Sequence, residues 1–128
     1  MQSVLLPFYQ RVMLWNMCGA FPAPSLKEAA VVLRVIEKVR LTDRESIESD
    51  FRAEGGQVAW RLPSPAYGEK LVELENEEAK ALAGVIVEHR PVRVMDAEWM
   101  LRLIDELNGV APAATAAGAR NGLEAGQL

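Results

Sequence analysis

Few side chains in these 128 residues could do covalent or acid–base chemistry. One cysteine, Cys18, and one histidine, His89, are present. Glu73, Glu75, Glu77 and Glu78 crowd four carboxylates into six positions. Paired carboxylates do acid–base work only in a cleft that separates their pKa values. A run at a strand-to-helix boundary reads instead as helix capping and solvation. His89 beside Glu88, or near Asp96, has the types of a general base and its orienting group. A nucleophile for it is missing, because no Gly-x-Ser-x-Gly elbow occurs and Ser3, Ser25, Ser46, Ser49 and Ser64 fall in caps, loops or a polar helix. Cys18 could pair with His89, but a lone cysteine between Met17 and Gly19 reads as a small core hydrophobe. No Cys-x-x-Cys spacing exists, so a Cys/His zinc site within one chain is not expected. Gly55-Gly56 leads into a strand, so it offers no helix N-terminus to a phosphate. The expectation is a protein that is not an enzyme and holds no cofactor or metal.

Charge narrows the partners. The net charge of -4 works against dedicated phosphate binding. Residues 1–40 are net basic, whereas 41–80 carry ten acidic groups against five basic ones. Arg90, Arg93 and Arg102 with His89 could serve a recognition helix, but Asp96, Glu98, Asp105 and Glu106 stand among them and repel phosphate. DNA binding of winged-helix type is therefore the alternative reading, with Arg61 and Lys70 as the only cations of its wing. The apolar opening "VLLPFYQRVMLWNMCGAF" resembles a signal peptide in composition, yet it lacks a basic start, and Pro7 and Arg11 interrupt it. No apolar run reaches the roughly 20 residues that span a bilayer. With a single cysteine as well, the expectation is a cytoplasmic protein with no membrane partner.

The elements that would position these groups follow from capping and periodicity. Pro7 suits the start of a helix carrying Phe8, Val12 and Trp15, with Met13 and Leu14 beside them, ended by Gly19 and the Pro22/Pro24 pair. Ser25 and Glu28 have capping-box spacing before "LKEAAVVLRVIEKVRL". There Leu26, Ala30, Leu33 and Ile36 line one face, widened by Val32, Val35 and Val39. Thr42 and Glu45 repeat the box for a short helix over 43–52, with Ile47 and Phe51 as an apolar pair. "VAWRLPSPAYGEKLVEL" (58–74) reads as a hairpin with Val58, Trp60 and Leu62 on one strand and Val72 and Leu74 on the return strand. Such a ribbon is marginal alone, so it is expected to wall a helical core with Trp60 pointing inward. A helix over 76–89 buries Ala79, Leu82, Val85 and Ile86. After Pro91, Asp96 caps a last helix with Met100, Leu101, Ile104 and Leu107 on one face. The predicted fold is α+β: a small domain of four to five helices with one antiparallel β-hairpin, spanning 1–110. Residues 1–24 form its apolar N-terminal segment, and 111–128 a flexible Ala/Gly-rich tail.

This order, with the "TDRE" helix, the Gly-rich turn, the Trp-bearing strand, "VELENEEAKAL" and "WMLRLIDEL", resembles small accessory proteins of phage and prophage genomes. The resemblance covers Ser25 to Leu107. It implies a compact, non-enzymatic protein that binds a host or phage protein; some such proteins modulate host RNA polymerase and others block defence systems. No functional residue carries across, because the matching positions build the core. The candidate partner-binding residues come from composition instead. Phe8, Tyr9, Trp15 and Phe21 give the N-terminal segment the highest aromatic density in the chain, and aromatics are enriched at interface hot spots. Completion of the core is the competing reading of the four, and a homodimer through the N-terminal helix is compatible with either.

Overall fold

A computed structural model of the chain describes residues 1–109. The chain opens with strand β1 (Gln2–Leu6), followed by helices α1 (Phe8–Ala20), α2 (Leu26–Val39) and α3 (Asp43–Glu48). Strands β2 (Arg52–Glu54), β3 (Gln57–Ala59) and β4 (Lys70–Leu74) come next, then helices α4 (Asn76–Glu88) and α5 (Val94–Leu107). Local chemistry accounts for most of these starts. Ser25 Oγ accepts from the Glu28 N–H, and Thr42 and Glu45 form a complete capping box. Gly55 and Gly56 both take positive φ, 58° and 79°, and turn β2 tightly into β3. This is a small α+β domain, as the pattern of elements predicts. The predicted tail, 111–128, lies outside the described residues.

The strand pairing departs from expectation. The strand through Trp60 stops at Ala59, and β4 pairs with the N-terminal strand β1, antiparallel, with Val4 opposite Val72. The 58–74 hairpin does not form. Instead β2 and β3 make a short ribbon of exposed residues. Part of the cause lies in the connection. Pro63 and Pro65 widen it, and Arg11 then holds its far end by donating to the Gly68 carbonyl at 2.7 Å. That bond delivers Lys70 to β1, where Val4, Leu6, Val72 and Leu74 all face the core. Residues 2–6, assigned no element by pattern, are a strand because β4 provides the pairing.

The helices bury faces somewhat rotated from those predicted. In α2, Val32, Val35 and Val39 are buried, while Leu26 and Leu33 are 88% and 61% exposed. Arg34 and Lys38 reach from α2 to Glu78 on α4 at 3.1 and 2.6 Å, which favours the valine stripe facing inward. In α5 the buried residues are Met100, Leu103 and Leu107, and Leu101 is exposed. The helix begins at Val94 with Arg93 as its N-cap, so Asp96 is not the cap but a buried first-turn residue. α3 ends at Glu48, leaving Ile47 exposed and Phe51 outside the helix. α1 runs through Gly19 to Ala20.

A main core joins the β1–β4 sheet to α1, α2, α4 and α5. A second, smaller core holds Phe8, Val12 and Leu41, with Phe51, Trp60, Leu62 and Tyr67 packed around them. Arg11 seals its edge. The side chain is fully buried, and all five N–H donors are used: on the carbonyls of Val39, Arg40 and Gly68 and on both oxygens of Glu45, at 2.7–3.0 Å. An arginine buried without those partners would cost several kcal/mol.

Candidate functional site

The aromatic residues on the second core open onto the surface beside the β2–β3 ribbon. A groove of about 470 Å³ runs between α1, the end of β3 and the α4–α5 connection. Tyr9 and Met13 come from α1, Val58 from β3, and Trp60 from the residues just after it. Pro91, Val92 and Arg93 close the other wall. Trp60 is held by its neighbours: its ring lies 5.4 Å from Phe8, 6.0 Å from Tyr9 and 6.4 Å from Phe51, centroid to centroid. It does point inward, as a wall residue should, but onto the small core and with one side left half-buried in the groove.

Polar groups converge at one end. Asp96 is 6% exposed and accepts from the Tyr9 hydroxyl at 2.7 Å and the Trp99 indole N–H at 3.1 Å, with the Arg93 guanidinium 3.4 Å away. The Tyr9 bond holds the carboxyl below its usual range, outweighing burial, which acts upward; Trp99 and Arg93 add to the lowering. Burial, and then the bond to Asp96, push the Tyr9 phenol up from its ordinary value. Carboxylate and phenol are therefore tuned away from neutrality, opposite to what proton transfer at neutral pH requires. Among the described residues no hydrogen bond orients the His89 ring at the groove margin, so it lacks the third group of a catalytic relay. Cys18 lies in the main core, where burial pushes its thiol up to about 12.

The four candidate aromatics do not make one patch. Phe8 is 2% exposed and belongs to the small core, which removes it from any surface role. Tyr9 lines the groove. Trp15, half-buried, lies in a neighbouring depression with Phe51 and Val58, stacked on Phe51 at 6.4 Å and with the Arg40 guanidinium 6.0 Å from its ring. Phe21 packs on the main core and lines a different hollow, among α2, α4 and α5. The groove also takes in Trp60, Arg93 and Asp96, which the sequence suggests as a wall residue, a cation among repelling acids and a helix cap. Only their spacing from Tyr9 across the chain hid the cluster; the one sequence signal was Trp60 itself.

No protein-family model matches the chain, and neither a curated protein nor a solved structure does. No helix among the described residues is long and apolar enough to cross a membrane.

Proposed function

We propose that the protein is a non-enzymatic binding module that engages another protein through the groove between Tyr9, Trp60 and the 89–96 connection. The observation that carries this reading is a groove whose aromatic rings are half-buried while Tyr9, Asp96 and Arg93 are bonded to one another. Such a surface offers hot-spot aromatics to a partner. Its rim carries Arg93, whose side chain is 79% exposed. The fitting partner is a segment with an apolar or aromatic side chain for the floor and a carboxylate near Arg93. The resemblance to phage accessory proteins directs the search to bacterial host proteins, with RNA polymerase and defence components first, where the protein would act as an inhibitor or modulator.

The test is affinity capture from bacterial lysate with three baits. Val92 lines the groove at 42% exposure, and Leu26 lies on α2 at 88% exposure, away from the groove lining. A partner held by the wild type and by Leu26→Asp, but lost with Val92→Asp, supports the groove. A partner retained by Val92→Asp, or none with any bait, refutes it. The DNA-binding alternative gains no support here. Its wing, the 58–74 hairpin, does not form, and on α5 Asp96, Glu98, Asp105 and Glu106 stand against one arginine, Arg102.

A further inference from the structure

Among the described residues the β1–β4 sheet has two strands, so β1 has one edge with no strand of these residues beside it. Which backbone groups point there follows from one lysine. Lys38, on the α2 side of β4, donates to the Glu73 carbonyl at 3.0 Å. That carbonyl therefore points away from β1. In an antiparallel ladder the N–H and C=O of a residue point to the same side, and successive residues alternate. Ser3–Glu73 and Leu5–Leu71 are then the wide pairs, and the ladder bonds belong to Gln2–Leu74, Val4–Val72 and Leu6–Lys70. Ser3 and Leu5 aim their N–H and C=O groups at the edge away from β4. No other strand, turn or side chain among the described residues bonds to them.

Edges of this kind are commonly blunted by charge, proline or a bulge. β1, Gln-Ser-Val-Leu-Leu, has no charge and no proline, and its register with β4 is unbroken over five pairs. On the outer sheet face Leu5 is 56% exposed, opposite Leu71 at 59%.

We infer that β1 pairs edge to edge with β1 of a second copy, making a continuous four-stranded antiparallel sheet across a two-fold axis at Val4. The strand is complementary to itself in that register. Ser3 of each copy faces Leu5 of the other, and all four free groups on each strand find partners. A register centred on Leu5 would set Ser3 against Pro7, which has no N–H. Because β1 is uncharged, self-pairing opposes no like side-chain charges. It also brings Leu5 and Leu71 of both copies onto one sheet face, which an arbitrary extended peptide would not do.

Sedimentation of the full chain across the micromolar range tests this, with hydrogen exchange of the Ser3 and Leu5 amides read at each concentration. The mass should rise towards twice the 14.1 kDa of one chain, with both amides gaining protection as it does. Ser3→Pro deletes one donor per copy, two of the four bonds, and should weaken association about 10-fold or more. Leu5→Lys changes only an exposed side chain and should also favour the monomer; it carries the test if Ser3→Pro melts early. A monomer at every concentration, or a dimer that Leu5→Lys leaves intact, overturns the inference. So does concentration-independent protection in a monomer, which would put another part of the same chain on the edge.

Discussion

Arg11 shows how much one side chain can determine when it is buried. Its guanidinium ties the ends of α1 and α2, the start of α3 and the loop before β4 to a single point. Removing it orphans three carbonyls and leaves Glu45, whose side chain is 19% exposed, without its cation. Arg11→Met is therefore expected to cost about 3–5 kcal/mol in denaturant melts. Lysine has three donors on a point charge and cannot span five acceptors, so Arg11→Lys should recover only part of that loss. Glu45→Gln keeps the shape and a hydrogen-bonding oxygen, and about 1–2 kcal/mol is the expected cost. If Arg11→Lys melts like the wild type, the fork geometry is not what holds the loop.

At the scale of elements, the orientation of α2 and the closure of the β4 loop make opposite demands on similar residues. Val35 is fully buried and Leu33 is mostly exposed, although Leu33 is the larger hydrophobe. Val35→Ala should cost about 2 kcal/mol and Leu33→Ala no more than about 0.5. The reverse order would restore the stripe that periodicity favours. Gly68 has φ 79°, and a Cβ there would lie 2.5 Å from Phe8 Cδ2. Gly68→Ala combines backbone strain with overpacking, and a loss of about 2–4 kcal/mol is expected. Gly84, in the middle of α4, has open space where its Cβ would go. Gly84→Ala should leave stability unchanged or raise it by up to about 1 kcal/mol, because alanine loses less backbone entropy in a helix. Thermal melts of the pair separate a glycine required by the fold from one that is not.

Across the molecule, three carboxylates at separate junctions share one electrostatic state. At Glu45 and Glu78, burial acts to raise the pKa but is outweighed, by Arg11 and the Thr42 N–H in the first case and by Lys38, the Glu75 N–H and Arg34 in the second. Asp96 is lowered chiefly by Tyr9. A group whose folded pKa is depressed binds fewer protons folded than unfolded, so its stabilisation is complete above the unfolded value and is lost as pH falls through the folded one. The melting temperature should hold from neutrality down to about pH 5 and then fall as the pH passes below about 4, the ordinary carboxylate range. Glu78→Gln should lower stability at neutral pH and make the acid limb shallower. An acid limb of unchanged steepness would show that Glu78 is not among the groups responsible.

What the chain determines locally is legible in it. The Ser25 and Thr42 caps, the Gly55-Gly56 turn, the start of α1 after Pro7, the helical 76–88 segment and the α+β class all depend on neighbours within four or so positions, and those interactions form wherever the segment sits. What only the tertiary structure decided involves residues far apart in sequence. Gln2–Leu6 is a strand because β4 arrives beside it 68 residues later, and Val58 and Trp60 lose their predicted partner for the same reason. Two apolar stripes compete on α2, and ion pairs from α4 favour one of them. Asp96 has the type and position of a cap, but a tyrosine 87 residues away draws it inward to floor a groove. Arg11, which interrupts an apolar run when read alone, is buried because five acceptors from three other segments converge on it. Periodicity ranks faces by hydrophobicity, whereas burial in this fold follows which backbone and charged groups can be satisfied together.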